Sequence, residues 1–221
     1  MIRSIIATTL AAAFAMSIAW AQLAPPKVIL LVGPPGSGKT TQAKLLAKKY
    51  GIPAFSMADL LKKQMSAHKK DALSKALAAS IASGDVLPDD AASDLIRLHL
   101  LRVDLRKGFI LDGYPSTAGQ AKALDRMLQE QQLPKAVVVV LEAPDDVIRK
   151  RMLARGRADD KPEIIDRRIQ DFRNEAALLA GWAGKTHVVR VNANASIAAV
   201  STQIVTGLEN ALSPHTFAQR P

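Results

Sequence analysis

The chain has 221 residues, 30 Lys+Arg against 20 Asp+Glu for a formal net charge of +10, and no cysteine. Without cysteine, a disulfide framework and a thiolate metal site are excluded, and the four histidines (His68, His99, His187 and His215) lie too far apart to read as a metal cage. The length suits one α/β core with a small insertion, and the basic balance would serve a polyphosphate ligand, nucleic acid or an anionic membrane surface alike.

Residues 1–21 carry Arg3, an apolar run of small residues and Ala19-Trp20-Ala21. That layout predicts an export signal cleaved after Ala21, which would place the mature chain outside the cytoplasm, in the periplasm. An uncleaved anchor is the alternative, since about eighteen apolar residues barely span a bilayer. A mis-assigned start before a cytoplasmic protein is another. Residues 22–26 read as a spacer, and the domain proper as residues 27–213, with a tail at 214–221 expected to fray.

From Lys27 onward short β-rich runs alternate with longer helical patterns. Strands are predicted at 28–32, 54–56, 109–111, 136–141 and 187–191. The run "AVVVVLEA" is apolar throughout, as a strand covered on both faces must be. Helices are predicted at 38–49, 57–64, 70–83, 89–106, 117–131, 144–155, 162–180 and 196–211. Strand, crossover helix and strand in repetition imply a parallel sheet with right-handed connections, a three-layer α/β/α fold of five strands.

Between the first strand and the first helix stands Gly33-Pro34-Pro35-Gly36-Ser37-Gly38-Lys39-Thr40, a full match to G-x-x-x-x-G-K-[ST] in the strand-to-helix setting where the pattern has mechanical sense. Gly33, Pro35, Gly36, Ser37 and Gly38 shape a loop whose backbone N–H groups can converge on a phosphate at the positive end of the helix dipole. Lys39 can place its ammonium on the β and γ phosphates of a nucleoside triphosphate, and a following hydroxyl, Thr40 or Thr41, can ligate Mg²⁺. Asp112 ends an apolar strand, where the edge of a parallel sheet faces the ligand crevice and a carboxylate suits a metal ion.

Later segments follow in a fixed order: "FSMADLLKK", "SGDVLPDD", "GFILDGYPSTAGQ", "VVVVLEAPDDVIRKRMLARGRADDKPEIIDRRI" and "VVRVNA". Together with the loop they resemble the adenylate kinases over nearly all of residues 27–212, in the form whose lid over ATP is a short loop. The resemblance implies a P-loop kinase fold with a helical insertion for the nucleoside monophosphate at about 57–86 and a lid at about 155–162. It implies in-line transfer of a phosphoryl group from MgATP to AMP, by a monomer with no membrane association once the signal is removed.

The resemblance further implies that Arg151, Arg155, Arg157 and Arg168 gather the phosphates. Arg167, beside the last of these, could exchange roles with it. Asp112 would orient water on Mg²⁺, and Asp159 and Asp160 would close the lid by pairing with arginines. On the acceptor side Ser56, Met57, Gly113, Gln120 and the strip from Val86 to Pro88 match the AMP site, with Gln120 reading the adenine. Two family arginines that hold the acceptor phosphate are replaced, one by Ser116 and one by Lys62. Lysine keeps a charge but lacks the bidentate fork. Arg97 and Lys63, read as part of the same insertion, could compensate, and Thr40, where the family commonly has glycine, reads as a harmless change.

Two other readings stay open. The acceptor could be a different nucleotide or a small metabolite, or the chain could bind nucleotide with little catalysis. Nucleic-acid binding is disfavoured, because the cations fall where the phosphates of a nucleotide would lie and no aromatic stacking platform accompanies them.

Overall fold

The computed structural model describes residues 25–67, 71, 74–75, 77–78, 87–156, 160–183 and 187–212. The leader, most of the predicted helix at 70–83, Val86, Arg157, Asp159 and the tail lie outside the described residues.

Five strands form the sheet: β1 (Lys27–Val32), β2 (Ala54–Ser56), β3 (Gly108–Asp112), β4 (Val137–Glu142) and β5 (His187–Asn192). All pairings are parallel, in the spatial order β2-β3-β1-β4-β5. With β1 at the centre, successive strands are added first on one side and then on the other. The crevice at the strands' C-terminal ends therefore opens beside β1, where a doubly wound sheet places its ligand.

The helices are α1 (Lys39–Tyr50), α2 (Met57–Ala67), α3 (Asp89–Leu100), α4 (Ala118–Glu130), α5 (Asp145–Arg155), α6 (Pro162–Ala183) and α7 (Ile197–Ala211). On one face of the sheet, α1 and α7 bury Ala43, Leu46, Val200, Ile204 and Leu208 against Ile29, Leu31, Ile110 and Val139. On the other, α3 and α4 bury Leu95, Ile96, Leu124 and Met127 against Val28, Leu30, Phe109 and Leu111. Each fully buried aliphatic side chain contributes about 1.5 to 3 kcal/mol, so these two layers hold the sheet rigid under the crevice. A third small cluster, Ile148 and Met152 of α5 with Ile165 and Ile169 of α6, fixes the two helices that flank the lid.

One predicted boundary needs correction. The helix expected to run to residue 106 ends at Leu100. Asp104 accepts from the Arg106 backbone N–H at 3.0 Å and from its guanidinium, a local turn that competes with helix for the same backbone. No helix among the described residues is long and apolar enough to cross a membrane.

Candidate active site

The loop after β1 leaves the sheet at Gly33, where a Cβ would lie 2.7 Å from the Leu141 carbonyl and 2.8 Å from Ser37 Oγ. Gly36 (φ +79°) and Gly38 (φ +96°) adopt left-handed backbone, and a Cβ on Gly36 would press on Met152 and Ile148 of α5. The chain then enters α1 with no side-chain cap and no acidic residue in the first turn, so the N-terminal N–H groups and the helix dipole stay open to an anion. Ser37 Oγ is buried without a hydrogen-bond partner. A buried orphan hydroxyl beside an uncapped helix start fits a phosphate that completes both.

Lys39 folds back over this loop and donates to the carbonyls of Gly33 at 2.7 Å and Pro34 at 2.9 Å. Burial pulls its ammonium down to about 8; the Asp112 carboxylate opposes that pull and the Arg155 guanidinium adds to it. Arg155, from the far end of α5, is thereby brought into the field of the loop lysine. Thr40 Oγ1 donates to Asp112 Oδ2 at 2.6 Å. Thr40, one of the two hydroxyls the sequence offers for the metal, thereby couples the loop to the strand-end carboxylate. Thr41, the other hydroxyl offered for the metal, is exposed. Hydroxyl and carboxylate side by side are the oxygen donors a hard divalent cation takes, directly or through water, so Mg²⁺ fits here.

On α5, Arg151 and Arg155 stand one turn apart on the same face. Arg155 makes two bonds to Asp160, at 2.9 and 2.6 Å; the carboxylate is 1 % exposed and the guanidinium 31 %. Arg151 has no ion pair among the described residues, leaving its guanidinium available to a phosphate. Arg149–Asp166 and Arg173–Asp145 pairs tie α5 to α6 on the outer side. On α6 the seam residues Ile165 and Ile169 are buried, and Arg168 beside them is partly buried while Arg167 is exposed. The inward position of the two is therefore Arg168.

The acceptor side is assembled across the β2–β3 edge. Register places Ser56 opposite Asp112, and Met57 lies against Gly113. Tyr114 precedes a cis proline; its hydroxyl meets Ser93 Oγ at 2.9 Å and the Gln120 carbonyl at 3.1 Å. Gln120 is 1 % exposed. Its Oε1 accepts from the Ser116 N–H at 2.8 Å and the Ser116 hydroxyl at 3.0 Å, and its Nε2 approaches the Leu87 carbonyl at 3.5 Å. The amide is thus turned onto the protein's own backbone.

Lys62 is exposed on α2. Arg97, which the sequence offers as a compensating cation, forms an exposed pair with Glu130 of α4 at 2.6 Å and lies close enough to Tyr114 to act on its hydroxyl. Lys63 lies instead beside His99, whose ring packs on Phe55 and is held below its usual range by burial, then Lys63, then Arg102.

Sequence reasoning missed the brace under the acceptor loop. Thr117 caps α4 by accepting from the Gln120 N–H at 3.1 Å and donates to Asp89 Oδ1 at 2.6 Å, which joins the starts of α3 and α4. Gly119 is part of it, since a Cβ there would overlap the Asp89 carboxylate. The signal was present as Thr117-Ala118-Gly119-Gln120, a capping-box spacing. A cavity of about 640 Å³ between β4, β5 and α6 touches the loop only at Pro34 and includes none of Lys39, Asp112 or Arg155, so it is not this site.

The family model described as adenylate kinase matches residues 31–187. The chain is 35 % identical over 181 residues to the adenylate kinase of Synechococcus sp. (strain WH7803), covering 81 % of this chain and 97 % of the relative. It is 37 % identical over 186 residues to that of Bifidobacterium longum (strain NCC 2705), covering 82 % and 99 %. Against the adenylate kinase of Rhizobium meliloti (strain 1021) identity is 35 % over 187 residues, covering 80 % and 96 %.

Proposed function

The chain belongs to the adenylate kinase family, an enzyme of the nucleoside monophosphate kinase type, and from that premise we propose that it transfers the γ-phosphoryl group of MgATP to AMP, yielding two ADP. The observation that carries this is the convergence of Lys39, Thr40, Asp112 and Arg155 at the C-terminal end of β1 and β3, with an orphan hydroxyl at Ser37.

In this reading the loop's N–H groups and Ser37 hold the β phosphate. Lys39 exchanges two carbonyl acceptors for phosphate oxygens. Arg151, Arg155 and Arg168 offset the charge that spreads over the transferred group, as loose phosphoryl-transfer transition states require. Thr40 and Asp112 would hold Mg²⁺, directly or through water, and the ion would supply neutralisation of phosphate charge. A phosphate oxygen of AMP bonds to the γ phosphorus as the bond from that phosphorus to the β–γ bridging oxygen breaks. Ser56, Met57, Gly113 and Gln120 form the wall on the acceptor side.

The acceptor grip is weak, because Ser116 stands where the family has an arginine and turns its hydroxyl to Gln120. A charge-assisted bond contributes about 1.5 to 3 kcal/mol, so Ser116→Arg should lower KM for AMP roughly ten- to hundred-fold while leaving kcat little changed. Steady-state rates with AMP, CMP, UMP and GMP, on the wild type and this variant, test the reading. Turnover with another monophosphate above that with AMP would overturn the choice of acceptor.

We carry the export reading of residues 1–21 into the same proposal, on the strength of Arg3, the apolar run and Ala19-Trp20-Ala21. Intact-mass analysis of the protein from its native host should give a chain that starts at Gln22; retention of Met1 would reject cleavage.

A further inference from the structure

Because all five strands are parallel, they start at one common end, and the C-terminal ends of α1, α3 and α4 return to it. This base lies about 20 Å from the phosphate loop, the length of the six-residue β1. It carries Lys27 at the head of β1, Lys48 and Lys49 in the last turn of α1, Arg102, Arg106 and Lys107 between α3 and β3, and Lys135 ahead of β4.

These cations form one surface. Lys27 and Lys49 stand 6.0 and 5.8 Å from the centre of the Tyr50 ring, the Lys27 N–H donates to the Lys107 carbonyl at 3.0 Å, and Val137, two residues past Lys135, pairs with Ile29. The carboxylates described at this end, Asp104, Glu130 and Glu209, already face Arg106, Arg97 and Lys49. Lys48, Arg102, Lys107 and Lys135 are exposed and have no ion-pair partner among the described residues. Next to Arg102 in the chain, Leu101 is 64 % exposed, an apolar side chain standing out at this end.

We propose that this base is a docking surface for an anionic lipid bilayer. Unpaired lysines and arginines, with a protruding leucine at the same end, match an acidic headgroup layer, which takes up the cations by attraction and the apolar side chain by burial. The described chain begins at this same end, where Pro25 and Pro26 of the 22–26 spacer lead into Lys27 of β1, and the apolar leader of residues 1–21 precedes that spacer in the sequence. The cations belong to the folded domain, so a chain beginning at Gln22 keeps them. With the base on the membrane, the phosphate loop points away into solution, free to exchange nucleotides. A nucleic acid is the poorer fit, because the one aromatic ring here, Tyr50, is half-buried beneath two lysines and presents no stacking face.

Co-sedimentation of the full chain with phosphatidylcholine vesicles, and with vesicles containing roughly one-third phosphatidylglycerol, tests this at about 0.05 M salt. Each lysine near an anionic surface strengthens partition about fivefold, so the acidic vesicles should bind about a hundred-fold more tightly, a preference that salt at about 0.5 M removes. The triple variant Lys48→Glu/Lys107→Glu/Lys135→Glu should lose that preference. Lys75→Glu/Lys122→Glu/Lys150→Glu, with the same change in charge away from the base, should keep most of it. Thermal unfolding checks that both triples are folded. Equal binding to the two kinds of vesicle overturns the proposal, as do equal losses in the two triples. So does a base triple that loses affinity for duplex RNA while its vesicle binding is intact.

Discussion

Replacing Lys39 by Met is expected to lower phosphoryl transfer at least about a thousand-fold, a loss of about 4 kcal/mol of transition-state stabilisation, while the melting temperature stays level or rises. The two halves of this expectation have separate causes. The ammonium is the group that would move from the Gly33 and Pro34 carbonyls onto the triphosphate, so its removal strips charge neutralisation from the reacting end. In the free protein, by contrast, burial holds Lys39 down to about 8, which means that the fold disfavours its charge. An apolar side chain of similar length relieves that cost, as happens when buried charges are replaced by packed apolar groups. Activity measured by ADP formation, set beside calorimetric melting, separates the two; a variant that turns over at the wild-type rate would reject the site.

The same lysine sets a pH dependence. For a base whose folded pKa is lowered, the charged form costs stability below the folded value, and that cost fades as pH rises from about 8 toward 10.5. A bound triphosphate favours the ammonium instead. Above pH 8 nucleotide binding must therefore draw in a proton, and affinity should fall by up to about tenfold per pH unit. Titration calorimetry near pH 8.5 in two buffers of different ionisation enthalpy should register this uptake in the wild type and not in Lys39→Met.

The donor half of the site was legible in the sequence because it is local. Gly33 to Thr40 is one contiguous run whose geometry follows from its glycines, and an apolar strand before it and a helical pattern after it fix its setting. Strand positions were legible for a related reason, since buried parallel strands write themselves as short apolar runs. "VVVVLE" occupies β4, within one residue of its predicted place.

Strand order was not legible, because it depends on which crossovers pass over β1. What failed was non-local. The Arg97 pair with Glu130 could not be read from the sequence, because it needs α4 placed beside α3. Thr40 and Asp112 are each legible as metal-side groups, but their direct bond is not, because it forms only when β3 brings Asp112 up from 72 residues away along the chain. The overlong helix at 89–106 failed locally: the leucine periodicity through Leu101 outweighed Asp104, whose carboxylate closes a turn on Arg106.

Arg155→Ala is expected to reduce turnover about a hundred- to a thousand-fold, and the reason it must be tested with a partner lies in Asp160. The arginine occupies two places at once: it grips Asp160 with both arms of its fork, and it lies close enough to Lys39 to depress the lysine's pKa. The first place is structural. Asp160 is 1 % exposed, and deleting Arg155 takes two charge-assisted bonds away from this buried carboxylate, which should lower the melting temperature by several degrees. The second is chemical, because a guanidinium over the loop is where negative charge accumulates as the γ-phosphoryl group departs.

Adding Asp160→Asn to Arg155→Ala separates these contributions. A neutral amide no longer needs a cation, so the double variant should recover most of the lost melting temperature while its turnover remains at the level of the single variant. Recovery of both together would mean that Arg155 acts only by holding the lid and contributes nothing to the transferred phosphoryl group. Arg155→Lys refines the point, since lysine retains the charge near Lys39 but cannot make two parallel bonds. It should keep part of the rate and lose the closing geometry, which would register as a higher KM for ATP.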